Sequence, residues 1–453
     1  MSNSSRKDCS IDPQQVGGSK SAGPGCPHMV DLGRRHFLKS VALVASVAVA
    51  PRGVAQTAGT SPATASPQRK GQSFSIGYYQ IHPDYSLNYQ MNRFMTGERS
   101  MIDAMLDVAP KIHTYADYQR EFLGLAEKAL KDGRKLEGAY YLRSAEFFMF
   151  PTDEAKQPTR KRFMQLMSEC HGITDDLRFA VPYESGTLKS FRFQPQQKAK
   201  GTIVMFGGYD SYIEEYFSTM SFFSDAGYDV ISFEGPGQGA VLEDQHMPMT
   251  PEWDKPVKAV LDYFHLDDVT LYGISLGGCL VIRAAAHEPR ARRVIADDIF
   301  SNAWDCIQRY VGLAPAVQTH LAQLFQAGEA SQINALVEDQ MQKSLVAYWG
   351  FMQGMLVMGA ETPYEFIQRA KLYHTAEVSD LLHQDVLLLA GTEDLYVSLE
   401  QFYEQIRTLT SVRSLTARKF TREEQAQNHV HVGNFGLSLN VILNWLDSMT
   451  TAG

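Results

Sequence analysis

An α/β fold with a mostly parallel sheet is predicted for the larger part of this chain. Short apolar runs rich in β-branched residues follow one another with helical sequence between them: "GTIVMFGG", "YDVISFEGPGQG", "DDVTLYGISLGG", "RRVIADDIF" and "QDVLLLAGTEDL". Continuous apolar runs of this kind are typical of parallel strands that are covered by helices on both faces. At 453 residues, of which 44% are hydrophobic and 21% charged, the chain can bury a large core.

Three further strands complete an expected sheet of eight. "LRFAVPYESGTLKSFRFQP" alternates with a period of two and predicts a hairpin that turns near Glu184 to Gly186. "SLTARKF" predicts the last strand, which is followed by a final helix.

Paired arginines precede a short apolar run near the N-terminus, in "DLGRRHFLKSVALVASVAVAPRGVAQ". Arg34 and Arg35 are followed by a hydrophobic pair and a lysine, the order found in twin-arginine export signals. The apolar run 41–50 is too short to span a bilayer. We therefore expect residues 1–55 to be a signal peptide, with translation starting at Met1 or Met29, and the mature protein to be periplasmic or secreted. A Sec-type signal or a membrane-tethered N-terminus is the alternative.

The remaining chain divides by composition and periodicity. Residues 56–72 are rich in Ser, Thr, Pro and Ala and predict a flexible linker. Residues 73–172 show helical spacing in four segments and predict an N-terminal helical cap domain. Residues 173–453 form the expected catalytic domain. Within it the strand pattern stops at about 300–384, where helical, Met- and aromatic-rich sequence predicts a lid insertion.

Charge and cysteine usage exclude several classes of protein. The net charge is −9 and residues 1–55 are basic, so the rest of the chain is more acidic still and nucleic acid is not an expected partner. Cys170, Cys279 and Cys306 are widely spaced and show neither a zinc pattern nor a disulfide framework. We expect no cofactor and no metal.

A nucleophile is predicted where one strand passes directly into a helix. Gly273-Ile274-Ser275-Leu276-Gly277 has the G-x-S-x-G pattern between "VTLY" and "GCLVIRAAA". A strand that turns straight into a helix strains its middle residue and crowds the positions on either side, so these must be small. The alternative is a glycine-rich turn with a bystander serine.

A serine nucleophile needs a base and an orienting acid, which follow it in the chain order Ser, acid, His. Asp394 lies in the loop after a late strand and is the predicted acid, with Asp297 or Asp298 after the preceding strand as rivals. The loop between the last strand and the last helix holds the only two histidines downstream of Asp394, His429 and His431.

An oxyanion hole is expected from backbone N–H groups. One is that of Leu276, and the other is that of Gly208 or Tyr209 in the loop after an earlier strand. Glu214 and Glu215, in the first turn of the next helix, are interpreted as carboxylates that interact favourably with the helix dipole.

Together the stretches "GGYDSYIEE", "FEGPGQG", "GISLGG", "GTEDLYV" and "HVHVGN…WLD" resemble one branch of the α/β-hydrolases. That group contains 2,6-dihydroxypseudooxynicotine hydrolase, the FrsA-like esterases and the fungal pigment polyketide hydrolases. The resemblance covers about 240 residues and implies that Ser275 is the nucleophile, Asp394 the acid and His429 the base. His431 stands where the group has glutamine, and Phe206 where many relatives have histidine. Phe206 is therefore expected to contact substrate, and His431 either to hydrogen-bond to a neighbouring group or to contact substrate.

The expected function is that of an exported serine hydrolase, carboxylesterase-like, which cleaves an ester-type bond of a small to medium apolar carbonyl compound. The alternatives are hydrolysis of a carbon–carbon bond in a β-diketone or aryl ketone, and a non-catalytic binding protein with a hydrolase fold. A metal site built on the H-x-H pair is disfavoured because no further ligand cluster accompanies it. The expected partners are the small-molecule substrate and the twin-arginine export machinery, no stable membrane span is expected in the mature chain, and a homodimer is left open.

Overall fold

The computed structural model describes residues 74–450. The predicted signal peptide, 1–55, and the predicted linker, 56–72, lie outside the described residues. Across the described range, no helix is both long enough and apolar enough to cross a membrane.

One eight-stranded sheet forms the centre of the fold. Its strands are β1 (Arg178–Tyr183), β2 (Gly186–Phe193), β3 (Thr202–Phe206), β4 (Asp229–Phe233), β5 (Val269–Ile274), β6 (Ala291–Asp297), β7 (Asp385–Gly391) and β8 (Ser414–Phe420). They lie side by side in the order β1-β2-β4-β3-β5-β6-β7-β8. The β1–β2 and β2–β4 pairs are antiparallel and the other five are parallel. The predicted sheet and its hairpin, which turns after Tyr183, are confirmed.

The order of the strands brings the loop after β3 and the G-x-S-x-G motif to one edge of the sheet. β3 lies between β4 and β5, and Phe206 at the end of β3 is in register with Gly273 near the end of β5. In open parallel sheets, a crevice forms at the carboxyl ends of strands where the order of connection reverses. The loop after β3 and the G-x-S-x-G motif after β5 therefore meet there.

Five helices precede the sheet, one more than predicted: α1 (Tyr85–Arg93), α2 (Arg99–Val108), α3 (Tyr115–Lys131), α4 (Lys135–Phe147) and α5 (Lys156–His171). The additional helix, α1, has the sequence "YSLNYQMNR", in which Leu87 and Met91 are buried together with several polar residues. Its buried polar side chains have partners, because Asn88 accepts hydrogen bonds from the N–H groups of Ile81 and His82, and Asn92 accepts one from Tyr79. Tertiary partners, which sequence periodicity does not report, stabilise α1.

Four helices lie between β3 and β6: α6 (Phe217–Asp225), α7 (Gly239–Gln245), α8 (Asp254–Phe264) and α9 (Gly277–His287). Every residue of β4, β5 and β7 is buried. This explains why these strands are largely apolar and do not alternate between apolar and polar residues.

The segment between β6 and β7 is helical: α10 (Ala303–Tyr310), α11 (Pro315–Ala327), α12 (Ala330–Lys343), α13 (Leu345–Met358) and α14 (Pro363–Ala370). It packs against the N-terminal helices, since the ring of Trp349 stacks on Phe147 at 4.8 Å and its indole N–H donates to the Phe147 carbonyl at 3.2 Å. Two helices complete the described chain: α15 (Leu399–Thr408) and α16 (Phe435–Thr450).

Candidate active site

Ser275 lies at the turn between β5 and α9 in a strained backbone conformation. Its φ is 63°, in the left-handed region that non-glycine residues rarely adopt. A Cβ at Gly273 would lie 2.0 Å from the carbonyl oxygen of Gly277, so a side chain at Gly273 would close this turn. The turn directs the Ser275 side chain into the crevice.

Three of the predicted residues form one hydrogen-bonded chain. His429 Nε2 lies 2.8 Å from Ser275 Oγ, and His429 Nδ1 lies 2.6 Å from Asp394 Oδ2. The other oxygen of Asp394 accepts hydrogen bonds from the N–H groups of Tyr396 and Val397, at 2.7 and 2.9 Å. Because both of its oxygens are engaged, the Asp394 carboxylate has one orientation toward the imidazole.

Asp298 is a second carboxylate at the same imidazole nitrogen. Its Oδ2 lies 3.0 Å from His429 Nδ1, and both side chains are buried. From the sequence Asp298 and Asp394 were rivals for one position, but the structure brings both to His429. Burial lowers the pKa of His429, and the charges of Asp394 and Asp298 raise it by more, to about 10.

Asp297 and His431 form a separate buried pair. His431 Nε2 lies 2.9 Å from Asp297 Oδ1, and the other oxygen of Asp297 accepts a hydrogen bond from the Tyr272 hydroxyl at 2.7 Å. The His431 ring lies against Phe420, with 4.1 Å between ring centroids. Burial lowers the pKa of His431, and Asp297 raises it by more.

The expectation that Phe206 contacts substrate is corrected, because Phe206 does not line the cavity above Ser275. His431 does not line it either, and of its two expected roles the structure shows the interaction with neighbouring groups, Asp297 and the carbonyl of Ala426. Phe206 ends a central strand, where its ring is fully buried against Phe233 and Trp253. Both side chains point into the core, which motif comparison alone does not reveal.

The expected oxyanion-hole residues also meet in the crevice. A Cβ on Gly208 would lie 2.6 Å from the Leu276 backbone nitrogen, so the loop after β3 lies directly against the residue after the nucleophile. No described residue accepts a hydrogen bond from the N–H of Leu276 or Tyr209, which leaves both groups free for a ligand.

Gln238 sets the orientation of this loop and was not predicted. Its amide nitrogen donates to the carbonyls of Gly207 and Gly208, at 2.6 and 3.1 Å. In a trans peptide the C=O and the following N–H point in opposite directions. The N–H groups of Gly208 and Tyr209 are therefore turned away from Gln238. Gln238 lies in "FEGPGQG", so the motif was visible in the sequence although this role was not.

Helix α1, which was also not predicted, reaches both halves of the site. The hydroxyl of Tyr89 donates to the carbonyl of His429 at 3.1 Å. One turn later, Arg93 forms ion pairs with Asp210 and Glu215, at 2.9 and 2.8 Å. Residues four apart lie on the same face of a helix, so one face of α1 contacts both the histidine loop and the loop after β3.

Glu214 and Glu215 lie in a first helical turn, as expected, and the structure adds that both are ion-pair partners. Glu215 accepts from Arg143 Nε at 2.8 Å as well as from Arg93, and Glu214 pairs with Lys189 at 2.6 Å. These residues lie in a short 3-10 turn before α6, where the side chains point toward the neighbouring cations.

A cavity of about 280 Å³ lies above Ser275. Its wall combines residues of the N-terminal helices, such as Phe94 and Tyr140, with Tyr310 and Trp349 from the helical insertion. Most of the wall is apolar or aromatic, as is typical of a pocket for a small organic ligand.

Two groups of acidic and histidine side chains bring three donor atoms within 4.8 Å of one another: Asp297, Asp298 and His431, and Asp298, Asp394 and His429. The hydrogen bonds and ion pairs described above account for both groups through protein partners alone.

The sheet, the elbow at Ser275 and the helical insertion together define an α/β-hydrolase fold. The family model Hydrolase_4, described as serine aminopeptidase, S33, matches residues 197–416. The match covers the sheet from just before β3 to within β8, together with the insertion.

Curated relatives include several fungal hydrolases. "Hydrolyase poxO" of Penicillium oxalicum is 29% identical over 242 residues, which cover 49% of this chain and 56% of that protein. "Hydrolase acrC" of Aspergillus aculeatus is 26% identical over 333 residues, which cover 62% of this chain and 74% of that protein. The chain thus matches little more than half the length of the first of these relatives.

Solved structures show the same fold. The crystal structure of 2,6-dihydroxy-pseudo-oxynicotine hydrolase matches with a TM-score of 0.55 and 21% identity, over 81% of this chain and 96% of that one. AbyA5 matches with a TM-score of 0.59 and 13% identity, over 80% and 94%. The first of these lies in the group that the sequence motifs resemble.

Proposed function

We propose that this protein is a serine hydrolase that cleaves an ester-type bond of a small to medium, largely apolar carbonyl compound. The observation that carries the proposal is the hydrogen-bonded chain from Ser275 through His429 to Asp394, at the base of a largely aromatic cavity. A nucleophile, a base within hydrogen-bond reach and an orienting acid are what acyl transfer requires.

In this mechanism Ser275 Oγ attacks the substrate carbonyl carbon while His429 Nε2 takes the hydroxyl proton. The carbonyl oxygen becomes an oxyanion that the N–H groups of Leu276 and Tyr209 stabilise, because both residues line the cavity and neither N–H has an acceptor among the described residues. His429 then gives its proton to the leaving alkoxide. Water, deprotonated by His429, attacks the acyl enzyme and releases the acid.

Labelling by a fluorophosphonate probe tests the nucleophile. We expect the wild type to be labelled once per chain and Ser275→Ala not to be labelled. Ser218→Ala is the matched control, because Ser218 lines the same cavity, and it should be labelled like the wild type. Equal labelling of wild type and Ser275→Ala would contradict the proposal.

A substrate panel decides the bond that is cleaved. Aryl esters of increasing acyl length are compared with β-diketones and aryl ketones, with Ser275→Ala as the blank for each. Turnover of esters supports the proposal, and turnover of the ketones alone would replace it by carbon–carbon bond hydrolysis. Absence of hydrolysis in a folded protein that still binds these compounds would instead indicate a binding protein.

A side chain at position 208 should close the oxyanion hole. In Gly208→Ala the new Cβ would lie 2.6 Å from the Leu276 nitrogen, so either the loop or the elbow must move. We expect kcat to fall about 10²- to 10³-fold, the cost of losing one oxyanion donor. Ester hydrolysis and the melting temperature are measured together. A rate within about threefold of wild type would contradict the assignment of this loop.

A further inference from the structure

Two carboxylates from adjacent strands meet at one nitrogen of His429. Asp394 follows β7 and Asp298 follows β6, and their Oδ2 atoms lie 2.6 and 3.0 Å from His429 Nδ1. One N–H group can make only one strong, linear hydrogen bond at a time. A single orienting acid would satisfy this nitrogen, so the presence of a second buried carboxylate requires an explanation.

Asp298 is held at this position by its own contacts and at a cost in backbone strain. Its Oδ2 accepts a hydrogen bond from the N–H of Val430, and its Oδ1 accepts one from Gly391 at 3.3 Å. Its φ of 59° lies in the left-handed region, and the neighbouring Val430, a β-branched residue, has a φ of 49°. Strain of this kind persists only where the surroundings impose it, and it is concentrated at functional sites.

The other groups around His429 do not supply a competing charge close to the ring. The rings of Tyr89 and Tyr396 face it, and burial raises the pKa of both hydroxyls well above the ordinary value, so they remain neutral. Arg309 donates to the backbone carbonyl of Asp394 at 3.2 Å. His431 lies two residues along the loop and is paired with Asp297, and on the other side of the ring lies Ser275.

We propose that Asp298 is a second orienting carboxylate for His429, which holds the imidazole in the productive orientation when Asp394 is lost. The inference rests on the proposed function, since it concerns the same base. Asp298 is a positioning residue, because it acts on substrate only through His429. The two acids are partly redundant, and the charge of Asp298 also sets the pH at which His429 loses its proton.

The redundancy is tested with the rate of Ser275 phosphonylation by a fluorophosphonate, which needs the base but no knowledge of the natural substrate. Oγ attacks phosphorus, the P–F bond breaks, and the serine proton passes to His429. We expect Asp394→Asn to be slowed about 10- to 100-fold, and the double variant Asp298→Asn/Asp394→Asn about 10⁴-fold, as in a triad without its acid. An Asp394→Asn variant as slow as the double variant would overturn the proposal.

The pH dependence of Asp298→Asn separates positioning from a merely structural role. Asparagine keeps one acceptor oxygen, which can replace the Asp298 oxygen that accepts from Val430 or the one that accepts from Gly391, but not both, and it removes one negative charge beside His429. Two carboxylates raise the pKa of His429 to about 10, so the wild-type rate should rise with pH toward that value. Removing one charge lowers the pKa of His429, so the midpoint of the increase in rate with pH should move to lower pH by one unit or more.

An unchanged midpoint in a folded Asp298→Asn variant would overturn the proposal, and this result does not depend on whether Asp394→Asn folds. Melting temperatures of all variants are measured as the control for folding. Failure of the proposed function is distinguishable, because Ser275→Ala would then be labelled like the wild type whatever the aspartate variants do.

Discussion

His429→Ala is expected to lower kcat/KM for ester hydrolysis by about 10⁴- to 10⁶-fold, with the fold retained. Without the imidazole, the Ser275 proton has no acceptor within hydrogen-bond reach, and the leaving group has no proton donor. The residual rate comes from the oxyanion hole and from substrate binding. Steady-state kinetics on an aryl ester, together with the rate of fluorophosphonate labelling, measure the effect.

His431→Gln is the matched control, two residues along the same loop. His431 is fully buried, pairs with Asp297 and does not line the cavity, so its replacement should change the rate less than about tenfold. The effect should appear as lost stability, of about 3 kcal/mol, because the buried charge of Asp297 loses its partner. If His429→Ala and His431→Gln are both folded and lose the same amount of activity, the choice of His429 as the base is contradicted.

Arg143→Met is expected to lower the free energy of unfolding by about 3–5 kcal/mol, the cost of breaking a buried ion-pair network. The Arg143 side chain is 2% exposed and donates to Glu215, Glu146 and the carbonyl of Asp210 at 2.8, 2.6 and 2.6 Å. Methionine fills much of the same volume but leaves Glu146 and Glu215 without this partner in the interior. Chemical denaturation, with ΔG extrapolated to water, measures the loss.

The same variant should also slow hydrolysis. Arg143 and Arg93 both bind the segment that follows Tyr209, so loss of Arg143 loosens the loop that supplies an oxyanion donor. Arg120→Met is the control, since Arg120 pairs with Asp117 and Glu121 at 59% side-chain exposure, and its removal should change neither property measurably. If Arg143→Met loses stability but keeps full kcat, the N-terminal helices serve only as a cover.

The sequence was sufficient for the elements whose physics is local. Each strand was visible as an apolar run, and the elbow as two glycines around Ser275, because steric limits at a strand-to-helix turn act within five residues. Ser275, Asp394 and His429 follow β5, β7 and β8, and the parallel sheet carries the loops after all three strands to one edge.

The sequence was insufficient where a role depends on which surfaces meet. Helix α1 is stabilised partly by hydrogen bonds that Asn88 and Asn92 accept from backbone groups outside the helix, which its own sequence pattern does not indicate. Gln238 stood in a recognised motif, but its carbonyl partners lie about thirty residues away, in the loop after β3. The motifs around Phe206 and His431 indicated contact with substrate, but both side chains face the core.

The sequence by itself predicted the α/β-hydrolase fold and the elbow, since these follow from periodicity and glycine sterics, and the resemblance to a hydrolase group added the order Ser275, Asp394 and His429. Only the tertiary structure decided that Asp298 joins Asp394 at His429, while Asp297 turns to His431. Adjacent residues at the end of a strand point to opposite sides of the sheet, so Asp297 and Asp298 lie in two different environments although they are neighbours in the sequence. Which of the two faces the base depends on the packing of β6 against β7 and the histidine loop.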